Sequence, residues 1–289
     1  MQTVHSLAAL RTALAARPAP VLVATMGSLH AGHIALLARA RALADDVPGR
    51  APGTVPVVAS IFVNRLQFGP SEDFDRYPRG LARDAALLEQ AGCDLLFAPD
   101  EATMYPEPQT FRVRPDPDLA GRLEGEQRPG HFEGMATVVM KLFQMVQPSA
   151  ATFGKKDYQQ LLIVRRMVAQ FAMPLAIEPV ETVREPDGLA LSSRNVNLGA
   201  AERAEAPRLN ATLRWLAAQA EATADPARLA ALEAEAMARL AERGWTPGYV
   251  TLRRRADLRP PGGGDGPGHL VALGAARLGT VRLIDNLEC

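Results

Sequence analysis

Residues 20–33 have the sequence PVLVATMGSLHAGH, in which an apolar run leads into a turn with two glycines and two histidines. The run from Pro20 to Thr25 is typical of a buried strand, because it is short and rich in Val and Leu. The apolar spacing of residues 34–43 predicts a helix directly after the turn. A strand, a glycine-containing turn and a helix in this order are typical of an α/β fold.

The alternation of strands and helices continues to about residue 182. Apolar runs predict further strands at 55–63, 94–98, 150–153 and 175–180, with helical patterns at 81–91, 134–146 and 157–171 between them. Short apolar strands that alternate with helices predict a parallel sheet covered on both faces. We therefore expect an α/β fold with a Rossmann-like, doubly wound parallel sheet in residues 1–182.

The composition changes after residue 182. Residues 200–243 are rich in Ala, Glu and Arg, and Pro226 divides them into two predicted helices that end near Gly244. Strand-like runs follow at 249–253, 269–273 and 280–284, and the stretch PPGGGDGPG at 260–268 predicts a surface loop. These patterns predict a second, smaller α+β C-terminal domain in residues 183–289.

The composition of the 289-residue chain excludes several classes of protein. With 32 basic and 32 acidic residues the formal net charge is +0, so no nucleic-acid partner is expected. The two cysteines, Cys93 and Cys289, lie far apart, which argues against a disulfide scaffold or a zinc knuckle. The sequence has neither a signal-peptide pattern nor an apolar run of about 18 residues, so we expect a cytoplasmic protein without a membrane span.

The turn after the first predicted strand is the first candidate binding site. In open parallel sheets, ligands bind at the carboxyl ends of the strands. Gly27 and Gly32 allow a ligand to approach the backbone, and free N–H groups at a helix start suit a phosphate. His30 and His33 would share one face, neutral near the helix N-terminus and able to donate to phosphate oxygens. The alternative is a turn in which both imidazoles are purely structural.

A second turn of the same kind has the sequence FGKKD at 153–157. Its two lysines are notable because the chain has only three lysines among its 32 basic residues. Lys155 and Lys156 could hold phosphate as compact charges, or they could be solvated surface residues. We expect only one of them to face the site, and Asp157 to cap the following helix.

A third candidate is LSSRN at 191–195, where two hydroxyls and a guanidinium could bind phosphate. The same residues are equally common in ordinary loops. Other polar side chains lie beside predicted strands and could contact a small polar substrate; these are Asn64, Gln67, Arg128, His131 and Gln160. Taken alone, these residues predict a phosphate-handling α/β enzyme without identifying its substrate.

Six blocks of the sequence together resemble the pantothenate synthetase (pantoate–β-alanine ligase) family of the HxGH nucleotidyltransferase superfamily. The blocks are ATMGSLHAGH (24–33), SIFVNRLQFGPSEDFDRYPR (60–79), RPGHFEGMATVV (128–139), FGKKDYQQL (153–161), VREPDGLALSSRN (183–195) and RLGTVRLIDNL (277–287). The chain departs from the usual family pattern at Ala24, Arg65, Lys155 and Leu191.

The resemblance implies an activity. Members of this family use ATP to join pantoate to β-alanine through a pantoyl-adenylate intermediate, with release of pyrophosphate and then AMP. Magnesium would accompany the ATP phosphates, with Asp84 as a nearby carboxylate and the metal ligands unassigned. The family resemblance also implies a homodimer.

The resemblance also assigns residues, position by position. His33, His30, Lys156 and Arg194 would be catalytic, and Asn64, Gln67, Arg128, His131 and Gln160 would bind substrate. The residues implied to bind ATP are Met26, Gly27, Ser28, Leu29, His30, Ala31, Gly32, His33, Gly154, Lys155, Lys156, Asp157, Val183, Leu191, Ser192, Ser193 and Arg194.

Two other functions remain open from the sequence. One is a nucleotidyltransferase that acts on a phosphorylated alcohol or sugar, since the same HxGH turn would serve it. The other is a nucleotide-binding regulator without catalytic activity. Pyrophosphate exchange with pantoate alone would separate the ligase from both.

Overall fold

A computed structural model describes residues 1–70, 74–75, 77–220, 223, 225–262, 265 and 268–289. Six parallel strands form the larger sheet, in the order β1-β4-β3-β2-β5-β6. The strands are β1 (Gln2–Val4), β2 (Val21–Thr25), β3 (Val57–Ile61), β4 (Leu95–Phe97), β5 (Ala150–Gly154) and β6 (Ala176–Val180). The predicted Rossmann-like parallel sheet is therefore confirmed, with one edge strand, β1, that the sequence pattern was too short to reveal.

Helices cover both faces of this sheet. They are α1 (Leu7–Leu14), α2 (Ala31–Asp45), α3 (Leu81–Gln90), α4 (Glu101–Met104), α5 (Pro117–Ala120), α6 (Glu124–Gln127), α7 (His131–Val146) and α8 (Tyr158–Gln170). Alternate residues of β2 point to opposite faces, so Leu22 packs in one apolar layer while Val21 and Val23 pack in the other. The strands are buried on both sides, which explains why they are continuous apolar runs in the sequence.

The order of the strands places the candidate turns side by side. Strand β2 pairs with β3 on one side and with β5 on the other, and Val21 is in register with both Val57 and Ala150. The chain passes from β2 to β3 through α2 and reaches β5 only later, so the direction of winding reverses between β2 and β5. A reversal of this kind opens a crevice at the carboxyl ends of the two strands.

The C-terminal part contains helices and an antiparallel sheet of order β7-β8-β9. Its elements are α9 (Ala200–Glu205), α10 (Arg208–Ala220), α11 (Pro226–Ala241), β7 (Thr246–Arg254), β8 (Leu270–Leu278) and β9 (Val281–Glu288). The α+β prediction is confirmed, and the boundary at residue 182 stays a prediction. Parts of the predicted loop at 260–268, namely residues 263, 264, 266 and 267, lie outside the described residues.

One prediction for this region is wrong. Residues 200–220 form two helices, whereas the sequence pattern predicted one. Pro207 lies between α9 and α10, and its nitrogen carries no N–H to donate to the preceding turn, so the hydrogen-bond ladder of a continuous helix is interrupted there. No helix in the described part of the chain is both long and apolar enough to cross a membrane.

Candidate active site

A cleft of about 240 Å³ lies at the carboxyl ends of β2 and β5, where the winding reverses. Sixteen of the 22 predicted site residues line it: Met26, His30, Gly32, His33, Gln67, Arg128, His131, Gly154, Lys156, Asp157, Gln160, Val183, Leu191, Ser192, Ser193 and Arg194. The three candidate turns, which are far apart in the sequence, therefore meet around one cavity.

The two histidines of the first turn are held by backbone N–H groups. His30 precedes α2, and its Nδ1 accepts the N–H of Gly32 at 3.1 Å. The Nδ1 of His33 accepts the N–H of His30 at 3.3 Å, and the two ring centroids lie 4.1 Å apart. Because Nδ1 accepts in both rings, each neutral imidazole carries its proton on Nε2. Both histidines can therefore donate an N–H to an acceptor in the cleft.

Both imidazoles are neutral at pH 7. The pKa of His30 is lowered to about 3, mainly by burial and in smaller part by the nearby His33 and Lys156, with Asp157 acting against them. Burial also lowers the pKa of His33 to about 4, with Lys156 acting in the same direction and Asp157 against it. The neutral state agrees with the expectation from sequence, although its main cause is burial rather than the helix N-terminus.

The turn itself is shaped by a buried carboxylate. Asp84 of α3 accepts the N–H of Ser28 at 2.7 Å and the N–H of Leu29 at 2.9 Å. Gly27 and Ser28 both have positive φ, 88° and 52°, a conformation in which a non-glycine residue needs outside support. The N–H groups of Ser28 and Leu29 are already used, so Gly27, Ser28 and Leu29 shape the turn and do not line the cleft.

This arrangement gives Asp84 a structural role. The side chain is 1 % exposed, and both of its oxygens face backbone N–H groups rather than the cleft. Within the described residues, no group of three or more His, Cys, Asp or Glu side chains could hold a metal ion. Asp84 is therefore a structural residue of the turn, and its place near magnesium stays a prediction.

The second turn separates its two lysines. Residues Lys155–Asp157 form a 3₁₀ turn directly after β5. The ammonium of Lys155 binds Glu181 at 2.5 Å and Glu288 at 2.8 Å, and Lys155 does not line the cleft. Lys156 does line it, and no described residue forms an ion pair with its ammonium. The expectation that only one lysine faces the site agrees with this geometry, and the implied contact of Lys155 with ATP stays a prediction that the geometry does not favour.

The capping role expected of Asp157 is wrong. Asp157 directly precedes α8, but its side chain accepts no capping hydrogen bond from the N–H groups at the start of that helix. Its carboxylate instead lines the cleft and acts on the pKa of His33. The lysine turn itself leads the chain into α8, so the helix starts without a side-chain cap.

A buried amide network surrounds Gln67. Its Oε1 accepts from Asn64 at 3.1 Å, and its backbone carbonyl accepts the Nδ1–H of His131 at 2.8 Å. The Asn64 amide also donates to the carbonyl of Gly134, and its oxygen accepts from Tyr105 at 2.7 Å. Asn64 is thus fully buried and positions Gln67 without lining the cleft.

Gln160 and its neighbour Gln159 face different surroundings. Gln160 lines the cleft. Gln159 is buried and donates to the carbonyls of Leu119 at 2.7 Å and Arg122 at 2.9 Å. Only Gln160 is therefore available to a ligand. Six of the 22 predicted site residues do not line the cleft, namely Gly27, Ser28, Leu29, Ala31, Asn64 and Lys155. Of these, Ala31 is exposed at the start of α2.

The third turn covers the cleft from the side of the C-terminal part. Ser192 caps a 3₁₀ helix at Ser193–Asn197, and its Oγ accepts the N–H of Arg194 at 3.3 Å. The guanidinium of Arg194 lies 5.9 Å from the ring centre of Tyr77, whose hydroxyl is 3.4 Å from Ser193 Oγ. Sequence reasoning did not single out Tyr77, although it lies inside one of the matched blocks.

Sequence reasoning also missed the apolar floor of the cleft. This floor is formed by Phe62, Met135, Val138, Val139 and Leu142. Four of these residues lie on α7, where their spacing predicts only a buried helix face. Nothing in that pattern indicates that one end of the face is open to a cavity.

Comparisons with known proteins agree on one family. The family model described as pantoate-beta-alanine ligase matches residues 1–288. The chain is 60 % identical to the pantothenate synthetase of Leptothrix cholodnii and 55 % identical to that of Paracidovorax citrulli, in both cases over 100 % of each chain.

Solved structures give the same result. The pantothenate synthetase of Thermus thermophilus has a TM-score of 0.89 and 47 % identity, covering 100 % of this chain and 99 % of that one. The Francisella tularensis ligase, described in complex with beta-gamma ATP and beta-alanine, has a TM-score of 0.80 and 30 % identity, covering 100 % and 97 %. The chain therefore belongs to the pantoate–β-alanine ligase family and is an amide-forming ligase.

Proposed function

We propose that this ligase uses ATP to activate pantoate as pantoyl adenylate and then transfers the pantoyl group to β-alanine. The observation that carries the proposal is that His33 and Lys156 line one cleft together with Gln67 and Gln160. Phosphate-binding groups and amides that suit a small polar acid are thus adjacent. The Francisella tularensis relative, described in complex with beta-gamma ATP and beta-alanine, supports the same ligands.

The phosphate groups of ATP are best accommodated between the first two turns. The Nε2–H groups of His30 and His33 are donors, and the ammonium of Lys156 supplies positive charge. In the first step, a pantoate carboxylate oxygen attacks the α-phosphorus and pyrophosphate leaves. Transfer at phosphorus depends mainly on positioning and on neutralising the charge that develops on the oxygens. His33, Lys156 and Arg194 provide both.

Pantoate suits the part of the cleft that is lined by Gln67, Gln160 and the apolar residues of α7. It carries a carboxylate, two hydroxyls and a dimethyl-substituted carbon. Gln67 and Gln160 offer amide donors and acceptors, while Val139 and Met135 offer an apolar surface for the methyl groups. The Asn64 contact fixes the orientation of the Gln67 amide before substrate binds.

The second step needs no nucleophile from the protein. The amine of β-alanine attacks the carbonyl carbon of the mixed anhydride, and AMP leaves with its electron pair on oxygen. Burial raises the pKa of Cys93 to about 11, so this thiol stays protonated, and neither Cys93 nor Cys289 lines the cleft. A route through an adenylate, which needs no protein nucleophile, therefore suits the residues that line the cleft.

Magnesium enters this proposal as part of the substrate, bound to the phosphates of ATP. Mg²⁺ commonly keeps several waters and takes substrate phosphates as ligands, so it needs few protein ligands.

Isotope exchange tests the two-step route. We expect labelled pyrophosphate to enter ATP in the presence of pantoate alone, whereas AMP accumulates only after β-alanine is added. If the exchange of pyrophosphate into ATP requires β-alanine, pantoyl adenylate does not form as a separate first step. Nucleotidyl transfer to a phosphorylated alcohol or sugar, with release of pyrophosphate, would favour the nucleotidyltransferase alternative.

We also infer a homodimer in the cytoplasm. The inference rests on the resemblance to the family, and Phe111, whose ring is 88 % exposed, is the candidate contact chosen for its test. Light scattering on the native chain and on Phe111→Ser tests the inference. An unchanged dimer in the variant would remove Phe111 from the interface, and a monomeric native chain would contradict the dimer.

A further inference from the structure

Strand β9 of the C-terminal part reaches across to the lysine turn. The side chain of Asn286 is buried, with 5 % exposed, and its Nδ2 donates to two successive backbone carbonyls. The distances are 2.9 Å to the oxygen of Lys155 and 2.8 Å to that of Lys156. One amide therefore holds both peptide units of the turn that carries Lys156.

Asn286 is itself fixed on both sides. It is in register with Leu273 of β8 in the antiparallel sheet. Its carbonyl accepts from Arg184 at 3.0 Å, and Arg184 also forms an ion pair with Asp285. Arg184 directly follows Val183, which lines the cleft. The same short stretch of β9 thus contacts both the lysine turn and the segment that carries Val183.

Glu288 lies two residues further along β9, so the two side chains share one face of the strand. Its carboxylate accepts from Lys155 at 2.8 Å and from the hydroxyl of Tyr158 at 2.9 Å. Asn286 therefore holds the backbone of the turn, while Glu288 draws the first lysine away from the cleft. The second lysine is left to project into it.

We propose that Asn286 is a positioning residue for Lys156, acting through the backbone of the lysine turn. This inference rests on the proposed function, in which Lys156 contacts the ATP phosphates. A misplacement of about 1 Å in a reacting group can cost as much as 100-fold in rate. The face of β9 that carries Asn286 and Glu288 thereby becomes part of the adenylation machinery.

The first test is Asn286→Ala with Thr251→Ala as its control. Thr251 is also a buried polar residue of the C-terminal sheet, 3 % exposed, but its hydroxyl donates to Glu233 at 2.7 Å rather than to the lysine turn. We expect Asn286→Ala to lower the rate constant of pyrophosphate exchange by about 10- to 100-fold, with the KM for pantoate within about twofold. Thr251→Ala should stay within about twofold in both quantities.

The second test measures the NMR signal of the Lys156 side chain. Because the chain has only three lysines, ¹³C-labelling of lysine gives three side-chain signals, and Lys156→Ala identifies the one of interest. In the native enzyme we expect ATP to shift the Lys156 signal. In Asn286→Ala that shift should shrink, while the Lys141 signal stays where it is. Asn286→Asp keeps the shape but replaces the donor with an acceptor, and it serves if the alanine variant fails to fold.

Two outcomes would overturn the inference. One is native exchange in Asn286→Ala; the other is a slow variant whose Lys156 signal still responds normally to ATP. Native activity in Lys156→Ala is a different result, because it would undo the proposed role of the lysine itself. An inactive Lys156→Ala beside a fully active Asn286→Ala would reject only the positioning role.

Discussion

The carboxylate of Asp84 accepts the backbone N–H of Ser28 at 2.7 Å, which ties α3 to the turn that carries both histidines. Its second oxygen accepts from Leu29, so one buried side chain satisfies two N–H groups of a turn with positive φ values. Hydrogen bonds to a charged group are stronger than those between neutral groups. The shape of the HxGH turn therefore depends on a residue that lies far from it in the sequence.

Replacement of that carboxylate should weaken both the fold and the site. In Asp84→Asn an NH₂ group faces one of the two N–H groups, which leaves a buried donor unsatisfied. We expect a loss of about 1–3 kcal/mol in the free energy of unfolding, measured by urea denaturation, together with slower adenylation. Asp45→Asn, which changes a more exposed carboxylate away from the cleft, should cost less than about 0.5 kcal/mol. Equal losses would contradict the role given to Asp84.

His33 should matter to the chemical step more than to binding. Its Nε2–H is available as a donor to charge that develops on phosphate oxygens. By analogy with the loss of one oxyanion donor, His33→Ala should lower kcat by about 10²–10³-fold, or about 3–4 kcal/mol. The KM for pantoate should change little, because Gln67 and Gln160 remain. His5→Ala, at an exposed position outside the cleft, is the control; a kcat for His33→Ala within tenfold of it would remove the catalytic role.

The two lowered histidine pKa values predict a pH dependence of stability. In the folded chain the pKa values are about 3 for His30 and about 4 for His33, against the usual value of 6.5 when unfolded. Below pH 6.5 the unfolded chain binds more protons, so protonation favours unfolding. The stability that comes from keeping the two imidazoles neutral is fully present above pH 6.5 and is lost as the pH falls through 4 towards 3.

The measurement compares urea midpoints between pH 7 and pH 4.5. The native chain should lose stability over this range faster than a His30→Gln, His33→Gln double variant, which has no imidazole to protonate at these positions. Other groups titrate in both proteins, so the difference between the two slopes is the informative quantity. Parallel curves would show that the folded imidazoles titrate normally.

The elements that were predicted correctly are those whose signal lies in neighbouring residues of the sequence. The β2 turn was predicted because a short apolar run, two glycines and a helix start are all contiguous. The three-residue strand β1 and the break at Pro207 were missed, since each depends on one or two residues. The contacts of Asp84 with Ser28 and of Asn286 with Lys156 lie beyond any such pattern, because only the tertiary fold brings these residues together.

The two adjacent lysines should differ sharply in function. Lys156 lines the cleft, whereas the ammonium of Lys155 is held by Glu181 and Glu288. We expect Lys156→Ala to abolish detectable pyrophosphate exchange and Lys155→Ala to reduce it only mildly, since Lys155 does not line the cleft. The measurement compares the rates of pyrophosphate exchange of the two variants under saturating ATP. Equal losses would mean that the turn rearranges when ATP binds.

The two adjacent glutamines offer the sharpest test of the pantoate site. Gln160 lines the cleft, so Gln160→Ala should raise the KM for pantoate several-fold while the KM for ATP stays close to native. Gln159→Ala removes two hydrogen bonds to the buried carbonyls of Leu119 and Arg122, which should lower stability by about 1–3 kcal/mol.

The pair separates binding from folding because the two changes are chemically identical and occur at neighbouring positions of α8. Steady-state kinetics with pantoate and ATP varied in turn, and a thermal melt of each variant, supply the readouts. Gln160→Ala should melt near the native temperature with weakened pantoate binding, and Gln159→Ala should show the opposite. If instead Gln160→Ala leaves the pantoate KM unchanged, the acid must bind against Gln67 and the apolar floor without help from α8.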